Sequence, residues 1–292
     1  SASDTNQFFE SVLFQVFGRQ LIVESFQFTS GGCINTTLTL KTNEGTFFLK
    51  WNQDAPDDMF KVEAKGLQLL KEAGALFIPE VLGYGHVAEK KFLLLEYVDS
   101  GRKIYTYWED FGTSLAIMHK QNSHPQYGLS HDNFIGKLPQ GNEQKDQWID
   151  FFIEKRLEVQ LQLAIYNRLV DDSFVKRYRD LYPRLATILV SEQPALLHGD
   201  LWSGNVMTAS DGKVCLIDPA VYFGHREIEL AFTTMFGGFE PSFYQAYNEA
   251  FPLEPGYQQR FEIYNIYPYM VHVNLFGSAY LSGVERVIRK YR

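Results

Sequence analysis

The stretch Leu196-Leu197-His198-Gly199-Asp200-Leu201-Trp202-Ser203-Gly204-Asn205, with Val214-Cys215-Leu216-Ile217-Asp218-Pro219 soon after it, constrains this chain more than any other feature. An apolar pair runs into a His-x-Asp turn, an Asn follows five residues after the Asp, and an apolar strand delivers a second Asp. Kinase-type phosphoryl transfer needs this set: a carboxylate to accept the substrate hydroxyl proton, and an Asn and an Asp to hold magnesium on the phosphates. Isolated acids and amides more often cap turns. Here order, spacing and strand context agree, so Asp200 is the expected catalytic base, Asn205 and Asp218 the expected Mg²⁺ ligands, and ATP the expected phosphate donor.

Upstream, Phe8, Phe9, Val12, Leu13, Val16 and Phe17 recur at helical spacing over residues 6–18, and Gly18 ends the run. Strand-like segments follow at Leu21 to Thr29, Thr36 to Lys41 and Gly45 to Lys50. Between the first two lies Ser30-Gly31-Gly32-Cys33-Ile34-Asn35, where paired glycines let backbone N–H groups approach a phosphate. A Gly-Gly hairpin alone is only a turn signal. Its place one hairpin ahead of Lys50 makes Gly31, Gly32 and Asn35 candidate nucleotide-binding residues. Lys50 ends an apolar strand, and a kinase carries its phosphate-binding lysine on the third strand, held by a Glu of the next helix. Met59 to Lys71 reads as that helix, with Glu63 the leading partner and Glu72, near its end, the weaker one. Phe92 to Val98 reads as a buried strand leading to a hinge, where the backbone of Glu96 and Val98 would meet the adenine edge. The domain boundary is therefore expected near residues 98–101, dividing the chain into 1–99 and 100–292.

Beyond it, Trp108 to His119, Trp148 to Leu169 and Phe174 to Val190 read as helices, and Tyr127 to Gly141 as a loop over the cleft. The C-terminal third is helical and aromatic. The expected fold class is α+β and two-lobed, protein-kinase-like, with an antiparallel N-lobe sheet plus a helix and a larger, mainly helical C-lobe. A net charge of −8 argues against nucleic acid as a partner, because phosphate backbones need a basic face. No apolar run reaches the length of a membrane span, and the two cysteines cannot build a disulfide scaffold, so a cytoplasmic protein is expected. Cys215, in an apolar strand, should be inert.

A protein kinase gated by phosphorylation carries Arg before its catalytic Asp; this chain has Gly199. Only a short loop separates Asp218 from a helix near Ile228, and no Ala-Pro-Glu follows. The acceptor should be a small hydroxyl compound or one modified side chain.

His198-Gly199-Asp200-Leu201-Trp202-Ser203-Gly204-Asn205, with Asp218-Pro219-Ala220, Tyr222, Gly224-His225-Arg226-Glu227 and Phe236-Gly237-Gly238-Phe239, closely resembles the fructosamine kinase (ketosamine-3-kinase) family. That family is similar to aminoglycoside and choline phosphotransferases. One departure is Glu229-Leu230-Ala231, where Asp-Leu-Ala is usual. The resemblance implies ATP-dependent phosphorylation of the 3-hydroxyl of a ketosamine, free or as a glycated lysine side chain, which destabilises the adduct and frees the amine. It also favours Trp202 packing on the sugar. His225 and Arg226 are open between meeting the substrate and setting a helix start. Cys33, in the glycine loop, should be an accessible thiol favoured as thiolate. Its oxidation, as in members of the resembling family, would inhibit reversibly, giving a monomer or a redox-linked homodimer. The competing readings are an aminoglycoside- or choline-type phosphotransferase and a nucleotide-binding pseudokinase.

Overall fold

The computed structural model describes residues 2–29 and 34–292. The chain forms two compact units, Ser1–Tyr107 with Met207–Pro219, and Trp108–Val206 with Ala220–Arg292.

In the first unit, α1 (Ala2–Phe17) precedes a five-stranded antiparallel sheet of β1 (Val23–Phe28), β2 (Thr36–Thr42), β3 (Gly45–Asn52), β4 (Val81–Val87) and β5 (Lys90–Glu96). The strand order is β1-β2-β3-β5-β4, and α2 (Met59–Ala73) connects β3 to β4. Side chains alternate faces along a strand. Phe47, Leu49 and Trp51 of β3 therefore pack with Phe8, Phe9, Val12 and Leu13 of α1, whereas Lys50 points to the opposite face. Each fully buried side chain of this size, such as Leu49, contributes about 1.5–3 kcal/mol of burial free energy. Helix α2 stops at Gly74, which takes the left-handed conformation (φ 73°) and donates its N–H to the Lys71 carbonyl.

The boundary expected at residues 98–101 falls instead at Tyr107. Residues past β5 remain tied to the strands Val206–Thr208 and Val214–Leu216: Ser100 bridges Ala209, Gly101 N–H donates to the Thr208 carbonyl (3.1 Å), and Ile104 N–H to that of Gly212 (3.1 Å). Asp218 consequently belongs with the first unit.

The second unit is mainly helical. Helix α3 (Tyr107–Gln121) leads to a hairpin of β6 (Asn133–Ile135) and β7 (Leu138–Gln140). The expected loop over the cleft is thus a hairpin built into the interior. Its Asn133 and Gln140 are buried and donate to the carbonyls of Val221 (2.8 Å) and Ala220 (3.1 Å). The single helix expected from Trp148 is α4 (Trp148–Phe152) and α5 (Glu158–Tyr166) joined by a π-turn, Ile153–Leu157. That turn holds the buried Arg156, which bonds Asn142 Oδ1 (2.8 Å) and the Gly141 carbonyl (2.7 Å) and lies 4.1 Å over the Tyr222 ring. Helices α6 (Asp172–Asp180), α7 (Tyr182–Ile188), α8 (Arg226–Thr233), α9 (Pro241–Ala250), α10 (Tyr257–Tyr264), α11 (Ile266–Phe276) and α12 (Leu281–Lys290) complete it. Among the described residues no helix is long and apolar enough to cross a membrane.

Candidate active site

Lys50 is buried, and its Nζ donates to both carboxylate oxygens of Glu63 (3.0 and 2.8 Å) and to Asp218 Oδ1 (2.7 Å). Burial pulls its pKa down, but the charges of Asp218 and Glu63 outweigh that, and the ammonium is held above its ordinary value. Burial in turn pushes the Glu63 carboxyl up, against the pull of Lys50 and with the repulsion of Asp218. Glu72 instead accepts from Gln68 within α2 (3.1 Å). Asp218 sits at φ 51°, a left-handed conformation uncommon outside glycine and recurrent at functional sites. Its side chain is 49% exposed beside the Lys50 contact. Asn35 accepts from Asn52 Nδ2 (3.2 Å), which fastens one end of the glycine loop to β3. Gly31, Gly32 and Cys33 lie outside the described residues. Glu96 closes the end of β5, with its Oε1 taking the Glu80 N–H (2.7 Å), and Val98 follows just past the strand.

In the second unit, Asn205 Nδ2 donates to the backbone carbonyl (2.8 Å) and Oδ2 (3.1 Å) of Asp200, closing the loop on itself. His198 Nδ1 accepts the Asp200 N–H (3.1 Å), a bracing role. Glu229 of α8 accepts the backbone N–H groups of His198 (3.0 Å) and Gly199 (2.9 Å). His119 Nε2 lies 2.8 Å from Glu229, and its Nδ1 2.8 Å from the Tyr247 hydroxyl. Burial pushes Glu229 up, but the His119 bond, the neighbouring imidazoles and the Gly199 N–H prevail, and its pKa lies below the ordinary carboxylate value. Gly199 has φ 90°, and a Cβ there would stand 1.8 Å from the Ala220 carbonyl oxygen, so this loop has no room for an arginine at that position. From sequence, Glu229 stands out only as a departure from a pattern, and His119 does not stand out at all. The available signal was a histidine in the last turn of an apolar helix.

Trp202 is half-buried, its indole lying over Gly204, where a Cβ would come within 2.3 Å of the ring. Of the two readings of His225 and Arg226, the structure displays the helix-start one. His225 is fully buried, and its Nδ1 accepts the Glu227 N–H (3.1 Å) as the N-cap of α8. Arg226 is buried in a fork on Glu192 (2.7 and 3.0 Å) and 3.5 Å over the Phe251 ring. Glu192, His225 and Glu227 have the proximity of a metal site. Arg226 on Glu192 and Arg260 on Glu227 (2.8 and 2.8 Å) already compensate both carboxylates, so the cluster is an ion-pair network.

Asn205 donates its amide nitrogen to Asp200, which leaves carbonyl Oδ1 as the atom that could hold a metal. Like the carboxylate of Asp218 it is an oxygen donor, the kind that suits a hard cation such as Mg²⁺. Burial pushes the Cys215 thiol up to about 12, which makes it unreactive.

The sequence profile of the fructosamine kinase family matches residues 6–292. A Synechocystis protein assigned as a ketoamine kinase is 38% identical over 280 residues, covering 94% of this chain and 93% of its own. A chloroplastic protein-ribulosamine 3-kinase of Arabidopsis thaliana is 36% identical over 265 residues, covering 89% of this chain and 80% of its own. Among solved structures, a protein assigned as fructosamine-3-kinase from Haemophilus somnus 129PT superposes with a TM-score of 0.88 at 29% identity, covering 98% of this chain and 97% of that one. The Lys50–Glu63–Asp218 cluster and the clamped Asp200 loop thus stand in a chain that belongs to the fructosamine kinase family.

Proposed function

We propose that this protein is an ATP-dependent ketosamine 3-kinase acting on free ketosamines or on glycated lysine side chains. The substrate's 3-hydroxyl oxygen attacks the γ-phosphorus, the bond to the β–γ bridging oxygen breaks, ADP leaves, and the hydroxyl proton passes to the Asp200 carboxylate. Lys50, fixed by Glu63, neutralises phosphate oxygens, and the backbone of Gly31, Gly32, Glu96 and Val98 with the Asn35 loop end receives the nucleotide. Asn205 and Asp218 would hold Mg²⁺, which supplies charge neutralisation on the triphosphate. The indole of Trp202 offers an apolar face to the sugar. Positioning and electrostatics carry most of such catalysis.

The observation that carries this reading is the Lys50 ammonium bonded at once to Glu63 and Asp218 in a member of this family. The names of its relatives supply the acceptor class, ketoamines and protein-bound ribulosamines. The test is a panel with Mg-ATP, following ADP release with ribulosamine, fructosamine, choline and kanamycin. Turnover of the ketosamines alone is the expected result. Turnover of choline or kanamycin instead moves the enzyme to the related phosphotransferases, and nucleotide binding with no turnover makes it a pseudokinase.

A further inference from the structure

From Trp202, two residues after Asp200, a strip of aromatic side chains runs across the second unit, and the phosphoryl-transfer chemistry leaves it unused. Trp202 meets Phe236 edge to face at 6.0 Å between ring centroids, and Phe236 meets His272 at 4.8 Å. His272 lies 5.6 Å from Phe276 and 5.2 Å from Tyr280. Residues Phe236 and Phe276 are 41% and 56% exposed. Phe236 also sits at φ 54°, a left-handed conformation that is strained for a bulky residue. Phe236 is partly exposed, so core burial offsets that strain only in part.

We propose that this strip binds the amine-bearing arm of the substrate, the ammonium and alkyl chain attached to C1 of the ketosamine. The inference rests on the ketosamine kinase reading and extends it to the part of the substrate that does not react. In a ketosamine the nitrogen is on C1 and the acceptor oxygen on C3, so the arm begins within one residue's reach of Asp200. The secondary amine is protonated at neutral pH, and a cation is attracted to aromatic faces. A lysine-type alkyl chain packs along apolar rings while its polar end stays in water. His272 suits this role: its Nδ1 donates to the Pro268 carbonyl (2.7 Å), and burial holds its pKa below the ordinary value. The lowered pKa favours the uncharged ring, which does not repel an ammonium.

The test uses ribulosamines of one sugar carrying different amines: methylamine, Nα-acetyl-lysine and phenethylamine. Phe236→Asn keeps a residue that tolerates positive φ, and it is combined with Phe276→Gln. The expected result is a kcat/KM that rises from the methyl to the longer arms in the parent enzyme. In the double variant that rise shrinks by about five- to tenfold, as loss of two ring contacts predicts. If the double variant does not fold, Phe276→Gln alone, on the exposed face of its helix, should shrink it by about threefold. An unchanged rise overturns the inference, and so does an equal loss for every arm, which would mean the rings only support the loop. A parent enzyme that turns over no ketosamine at all overturns the activity itself, and the inference with it.

Discussion

Lys50 Nζ and Asp218 Oδ1, 168 residues apart in the chain, meet at 2.7 Å, with Glu63 on the same ammonium at 2.8 Å. Two carboxylates share one buried cation, so removing the lysine leaves them facing each other. Lys50→Met should lower turnover by at least about 10², as loss of a fixed charge on the phosphates does. It should also destabilise the fold by about 3 kcal/mol, the low end for breaking a buried pair, because Asp218 is half exposed and screened. Adding Glu63→Gln to Lys50→Met should return most of the stability and none of the activity. Urea unfolding beside steady-state kinetics checks both halves. A double variant as unstable as the single would mean that Glu63 is not the strained partner.

Asp200 is expected to act on the proton and not on the nucleotide. Asp200→Asn keeps the hydrogen-bond contact with Asn205 and removes the base, so turnover should fall by roughly 10²–10⁴. Binding of ATP, read by calorimetry, should stay within about threefold, less than a typical single hydrogen bond to a charged group. Equal turnover would remove Asp200 from the mechanism.

Glu229 ties the loop's stability to pH. Its folded pKa lies below the ordinary carboxylate value of 4.5, so the stability it contributes is fully present above that value and is lost as pH falls through the folded pKa. Glu229→Gln should therefore be less stable than the parent at neutral pH by about 1–3 kcal/mol, with the gap closing below pH 4.5. His119→Phe removes the bond to Glu229 from a pair that is fully buried on both sides, and should lower kcat more than it changes KM for either substrate. Stability measured by denaturant from pH 3 to 8 and initial-rate kinetics read these outcomes. A gap that persists unchanged at low pH would refute the assignment of the charge to Glu229.

The parts legible in the sequence are those fixed by short-range spacing. Asp200 and Asn205 stand five residues apart in one loop, Lys50 at its strand position, and Glu63 in the second turn of α2. What stayed hidden depends on partners far along the chain. Nothing near His119 announces Glu229, which is 110 residues away. The polar composition of residues 127–141 signals a loop, because the carbonyls of Ala220 and Val221 that satisfy Gln140 and Asn133 lie 80 and 88 residues on. A period of 3.6 residues also cannot show the extra residue of the π-turn that carries Arg156 inward. His225 and Arg226 were open from sequence for a related reason: a buried arginine and a substrate-binding one look alike until Glu192 and Phe251 are in place.

Gly199 separates backbone strain from steric exclusion. Its φ of 90° would be strained for any other residue, and a Cβ there would lie 1.8 Å from a backbone carbonyl oxygen, that of Ala220, which cannot swing aside like a side chain. The same carbonyl accepts from Gln140, which also holds it in place. Gly237 offers the control, with φ 100° and nothing within 4 Å of the place a Cβ would take. Gly237→Ala should cost only the conformational strain, about 1–2 kcal/mol, with kcat nearly unchanged. Gly199→Ala must add displacement of residue 220 or of the loop, so it should cost about 2 kcal/mol more and lower kcat by at least about tenfold. Unfolding midpoints and kcat for the two variants decide the matter, and equal effects at both positions would mean that the contact with Ala220 does not hold the loop that carries Asp200.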